Sequence, residues 1–147
     1  MKRNTFLITI TLLAAFFAYN YFSIEQTTYG DVVSNLLKDN ETVIRVEISK
    51  TSYNDNAVTS RKTAIISNED SINRLLKEPV DMELKTHDRN PAIVYWLTFY
   101  TDVEEIKGFD IIMDNELALI GKEQYRISGN NKLAETIENL HIDWETH

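Results

Sequence analysis

The chain has 147 residues, with 15 basic and 23 acidic side chains and no cysteine. That length suits one ordinary domain, the composition is globular rather than disordered, and the lack of cysteine excludes a disulfide framework, a thiolate metal site and a cysteine nucleophile. Lys2 and Arg3 are the only charges in residues 1–24, so the remainder holds 13 basic and 23 acidic groups, a net charge of −10; such a body repels nucleic acid, whose binding needs Lys and Arg to displace counterions, and repels anionic lipid too.

Lys2 and Arg3 precede an uncharged run from Asn4 to Ile24. Basic residues ahead of such a run mark a signal peptide or a membrane anchor, and the cleavage site separates the two. Cutting after Ala18 places Phe16 at −3, and cutting after Ser23 places Tyr21 there; both are too large for signal peptidase. At about 1.5 Å per residue, a helix from Phe6 to Ile24 spans about 28 Å, close to the hydrocarbon thickness. Tyr19, Tyr21 and Phe22 supply an aromatic belt, and Lys2 and Arg3 stay cytoplasmic by the positive-inside rule. The expectation is an uncleaved anchor over 1–24 with a single extracytoplasmic domain over 25–147; the alternative is secretion after signal cleavage. A buried core helix is excluded because the run has no polar face.

Glu25 to Thr27 reads as a polar connector. Thr28 and Asp31 form a capping box ahead of a short helix with Val32, Val33, Leu36 and Leu37 on one face, ending near Lys38. Thr42 to Tyr53 alternates apolar and polar residues, the pattern of a half-buried strand. Asn54-Asp55-Asn56 turns the chain into a hairpin partner, Val58 to Ile66, whose Arg61 and Lys62 suit a sheet edge. Ser67 to Asp70 caps a second helix with Ile72, Leu75 and Leu76 buried, stopped by Pro79. Val80, Met82 and Leu84 alternate as a further strand, and Thr86 to Asn90 is a polar loop.

From Pro91 to Ser128 the chain reads as consecutive antiparallel strands. Ile93, Tyr95, Leu97 and Phe99 share one face of the first; Val94, Trp96, Thr98 and Tyr100 share the other. Both faces are apolar, so this strand is expected to be central and covered on both sides. Asp102 to Glu105 turns. Phe109, Ile111 and Met113 alternate with Asp110 and Asp114, Asp114-Asn115 is the expected two-residue turn, and Leu117 and Leu119 carry the returning strand. Gly121-Lys122 turns into Tyr125 to Ile127. Ser128 to Asn131 caps a last helix bearing Leu133, Ile137 and Leu140, with Ile142 and Trp144 sealing the core. The fold class is therefore α+β: a single antiparallel sheet, its C-terminal part a meander, with two or three short helices mainly on one face and an N-terminal hydrophobic helix in front.

The run Glu116-Leu117-Ala118-Leu119-Ile120-Gly121-Lys122-Glu123-Gln124-Tyr125-Arg126-Ile127, followed by a short amphipathic helix and preceded far upstream by the hydrophobic run, resembles the small uncharacterised exported proteins of low-GC Gram-positive bacteria. The resemblance implies an extracytoplasmic location and supplies no catalytic residues.

The chemistry is sparse. His87 sits in a polar loop, and His141, Asp143 and His147 lie in the tail, where they have metal-ligand chemistry but read as solvated residues. No HExxH is present, and glycines at 30, 108, 121 and 129 build no nucleophile elbow, P-loop or dinucleotide fold. Asp102, Glu104 and Glu105 share one turn, and Asp114 and Glu116 flank another; paired carboxylates hold Ca²⁺ or act as acid and base, yet no EF-hand spacing occurs and acidic turns are commonly just solvated. No catalytic residue, metal ligand or cofactor is assigned. Tyr53, Trp96, Tyr100 and Trp144 are the candidate partner contacts, since aromatics favour interfaces. The leading expectation is a non-enzymatic, membrane-tethered module that binds another envelope protein as sensor, accessory subunit or inhibitor; next comes an envelope ligand- or divalent-cation-binding module, and a hydrolase third.

Overall fold

The computed structural model describes residues 26–38, 41–55, 57–103 and 107–146. The hydrophobic helix expected over 6–24, and with it the choice between anchor and cleaved signal, lies outside them, as do Glu104, Glu105 and His147. Among the described residues no helix is long and apolar enough to cross a membrane.

The chain runs β1 (Gln26–Thr28), α1 (Tyr29–Leu36), β2 (Val43–Asn54), β3 (Ala57–Ile66), α2 (Glu69–Lys77), β4 (Glu83–Thr86), β5 (Tyr95–Thr101), β6 (Lys107–Met113), β7 (Leu117–Ile120), β8 (Glu123–Ser128), α3 (Lys132–Asn139) and β9 (Glu145–Thr146). The described strands form one sheet in the order β1-β4-β8-β7-β6-β5-β2-β3-β9, and every pairing is antiparallel. The expected α+β class holds, as does the meander, which is β5 to β8.

The pleat sorts the side chains. One row across the sheet reads Ala64, Ile48, Leu97, Ile111 and Ile120; the next reads Ile66, Val46, Phe99 and Phe109. These residues are buried, and all but Ala64 join Val32, Val33, Ile72, Leu75, Leu133 and Ile137 of the three helices in one core. All three helices therefore cover the same face. Phe99 and Phe109 stack with ring centroids 4.5 Å apart.

Local chemistry fixes the helix ends. Thr28 Oγ1 accepts from Asp31 N, making Thr28 the expected N-cap, and donates to Asp31 Oδ2. Asn131 Oδ1 accepts from Ala134 N. The second cap is Asn68, which accepts from Ser71 N, not Ser67. Two of the tight hairpins have the backbone their residues favour: Asp55 has φ 48° and Gly121 φ 62°, the left-handed region that such turns use.

Several expectations are corrected. Gln26–Thr28 is not a connector but strand β1, pairing with Glu83 to Lys85, and the tail forms β9 against Lys62 and Thr63. Both short pieces are polar and carry no periodicity; they are strands because each lies along a sheet edge with unpaired backbone groups. β4 starts at Glu83, because Pro79 to Asp81 turn instead: Met82 N donates to the Pro79 carbonyl at 2.8 Å. The Val80 carbonyl accepts from Gly30 N at 3.0 Å, an approach so close that a Cβ on Gly30 would stand 2.9 Å from that oxygen. The β6–β7 turn is centred on Asn115-Glu116, since Asp114 N donates to the Leu117 carbonyl and Asp114 Oδ1 accepts from Glu116 N and Leu117 N, each at 2.8 Å. The returning strand carried by Leu117 and Leu119 is β7, whose core residues are Ala118 and Ile120. β5 is central but not covered on both sides: no described element packs over its Trp96 face.

Candidate interaction surface

The uncovered sheet face is built by the same alternation as the core, one residue out of phase. Across it runs the row Thr63, Ser49, Trp96, Ile112, Leu119 and Gln124. Three apolar side chains thus stand side by side on β5, β6 and β7. The adjacent row is Ile65, Glu47, Thr98 and Asp110. Trp96 is 41% exposed and Ile65 68%, far more than the buried rows on the other face. Between them lies a shallow groove of about 360 Å³ walled by Glu47, Ser49, Ile65, Trp96 and Thr98.

Trp96 is held in place. Its Nε1 donates to Asp110 Oδ1 at 3.3 Å, and Thr98 Oγ1 donates to the same oxygen at 2.8 Å. Tyr100 shares the Trp96 face but lies under the Arg45 guanidinium, 4.0 Å from the ring centroid; Arg45 in turn reaches Glu47 at 3.5 Å. Tyr53, 44% exposed, stands where the β2–β3 hairpin runs past the start of β5, its hydroxyl donating to the Ile93 carbonyl at 2.9 Å. Trp144 packs against the core. Of the four aromatics named from sequence, the structure therefore brings Trp96 and Tyr100 together, with Tyr53 toward one end, and places Trp144 elsewhere. Ile65, Ile112 and Leu119 were not among the candidate contacts. Their signals were the apolar runs Ala64-Ile65-Ile66, Ile111-Ile112 and Leu117 to Ile120, where alternation breaks.

Three of the polar side chains singled out from the sequence are engaged locally. Asp114 accepts three backbone N–H groups, the third from Ala92 at 2.8 Å, and Asp102 accepts one from Thr42 at 2.8 Å. His87 lies 3.4 Å from Asp88 Oδ1, with Arg89 Nε 3.5 Å from its other nitrogen. Among the described residues no group of three or more His, Asp or Glu stands close enough to hold a metal.

One polar network ties α3 to the sheet. Glu138 Oε1 accepts from Lys50 Nζ at 2.6 Å and from the Tyr95 hydroxyl. Burial pushes the Glu138 carboxyl up, but the hydrogen bonds from Lys50 and Tyr95 outweigh it and hold the group below the ordinary carboxylate value. Burial, then the Glu138 hydrogen bond and charge, push the Tyr95 phenol up. Glu138 is thus an ionised acceptor and Tyr95 a protonated donor at neutral pH, the states of a structural tie rather than of an acid–base pair poised near neutrality. On the same side of the sheet, beneath α1, opens a cleft of about 670 Å³ with an apolar floor.

The chain matches no family model, no curated protein and no solved structure.

Proposed function

We propose that this chain is a membrane-tethered extracytoplasmic module, without catalytic activity, that binds an envelope protein through the uncovered face of its sheet. The single observation that carries the reading is the apolar row Trp96, Ile112 and Leu119 on the face opposite the three helices. A fixed, desolvatable Trp flanked by aliphatic side chains and ringed by polar ones (Ser49, Thr63, Gln124, Asp110) has the composition of an interface hot spot. The hydrophobic run before Gln26 supports the tether, and Lys2 and Arg3 ahead of it favour an acidic body on the outside by the charge rule. The carboxylates nominated for cation binding are, at Asp114 and Asp102, already hydrogen-bonded to backbone, which favours the protein-binding reading over the cation-binding one.

The test is photo-cross-linking of the full-length protein in cells. A photo-reactive residue replaces Ser49, Trp96's neighbour on β2; in a control it replaces Glu135, exposed on α3. The expected outcome is one discrete adduct from position 49 that disappears with Trp96→Ala, a truncation that costs about 2 kcal/mol or more at a hot spot, and no such adduct from position 135. Equal labelling from both positions, or an adduct indifferent to Trp96→Ala, would overturn the proposal.

A further inference from the structure

We infer that the cleft beneath α1 takes up the acyl chain of a zwitterionic bilayer phospholipid. The inference rests on the tether in the reading above, but concerns a different face of the sheet.

The cleft's volume of about 670 Å³ falls within the roughly 300–1,000 Å³ of ligand pockets. Val32 and Leu36 of α1 form one wall; Phe109, Ile120 and Tyr125 of β6, β7 and β8 form the floor. Leu36, the last residue of the helix, remains 37% exposed and leans over Gly121, where a Cβ would come within 3.1 Å of its methyl. Val32, Phe109, Ile120 and Tyr125 are themselves buried, so the open apolar surface at the mouth is that of Leu36, and covering it with hydrocarbon is favourable, at about 0.8 kcal/mol per buried CH₂.

Two observations identify the occupant. The first is continuity of the chain. Thr27 also lines the cleft and follows Ile24, the end of the uncharged run, by three residues. Extended backbone covers at most about 3.6 Å per residue, so the cleft wall stands within about 11 Å of the point where the run ends. With that run in a bilayer, the cleft lies at headgroup level. The second is charge. Lys122 and Glu123 are adjacent on the rim, both exposed, and neither has an ion-pair partner among the described residues. A neighbouring cation and anion suit a headgroup carrying both a phosphate and an ammonium, whereas the net charge of −10 over residues 25–147 opposes a purely anionic lipid.

The experiment uses full-length protein reconstituted into vesicles of phosphatidylethanolamine and phosphatidylcholine, with a tracer phosphatidylethanolamine bearing a diazirine on its acyl chain. After illumination, labelled peptides are mapped by mass spectrometry. Adducts on peptides covering 29–36 and 120–125 are expected. They should fall about tenfold or more with Leu36→Asp, a loss of roughly 1.4 kcal/mol, and persist with Ile65→Asp on the opposite face. Asn35→Trp, an exposed substitution that blocks the mouth without touching the core, should act like Leu36→Asp. Adducts confined to residues 6–24 would leave the tether standing and overturn the cleft. No adducts anywhere would overturn both. Cleft adducts unaffected by either variant would also overturn it.

Discussion

Single side chains hold much of this fold's irregular backbone. Asp114 does so most clearly, because one carboxylate accepts from Glu116 N, Leu117 N and Ala92 N. Losing three such bonds, one of them part-buried, costs about 1 kcal/mol or more of unfolding free energy, so Asp114→Ala is expected to lower the urea midpoint in proportion while Glu116→Ala leaves it unchanged. The same engagement predicts a thermal melt that does not shift in millimolar Ca²⁺; a rise would show that mass action stabilises a bound state. Protonation belongs to this scale too. Tyr29 is fully buried, its hydroxyl donating to the Leu75 carbonyl at 3.1 Å, and burial pushes its phenol up. A raised folded-state value stabilises the fold below the ordinary phenol pKa of about 10 and withdraws that stability as pH climbs above it. Glu138 is the reverse: its lowered value contributes stability above the ordinary carboxylate range and loses it as pH falls through that range. Unfolding measured from pH 3 to 11 is expected to show both limbs, with Glu138→Gln reducing the acid limb and Tyr29→Phe reducing the alkaline one, to which Tyr95 also contributes.

At the scale of elements, three eight- or nine-residue helices are too short to persist alone. Their ends are tied instead. Asn131 shows how: its Oδ1 caps α3 at Ala134 N, and its Nδ2 donates to the Asp114 carbonyl at 2.8 Å. Asp is as good an N-cap as Asn, so capping alone predicts that Asn131→Asp is harmless. The structure predicts otherwise, because the carboxylate loses the donor and faces a carbonyl. A loss of about 1–2 kcal/mol is expected on chemical denaturation, with Asn131→Ala losing more. The terminal strands follow similar logic. β1 and β9 are three and two residues long, and such short pieces blunt the edges of a sheet that would otherwise template further pairing.

For the whole molecule, the two sheet faces should respond oppositely to truncation. Phe99 is buried and stacked on Phe109, so Phe99→Ala is expected to cost about 3–5 kcal/mol. Trp96, three residues earlier on the other face, is expected to cost about 1 kcal/mol or less when cut to Ala, while eliminating the cross-link proposed above. Equal losses of stability at both positions, measured by denaturant midpoints, would mean that the Trp96 face is a second core rather than a surface.

Strand periodicity, the turn residues and two of the three N-caps were legible in the amino-acid sequence, because they depend on side chains acting within a few residues of their own backbone. From them alone came the α+β class and the meander from Tyr95 to Ser128. Tertiary structure decided the rest. A both-sided apolar strand such as β5 reads as covered, but whether a covering layer exists depends on where every other element packs, and all three helices went to one side. Polar Gln26 to Thr28 and Glu145 to Thr146 became strands because distant edges offered them hydrogen bonds. Trp96, Ile112 and Leu119 became neighbours only through register between three strands. Contacts across strands and sheet edges are set by the packing of the whole chain, and no local pattern encodes them.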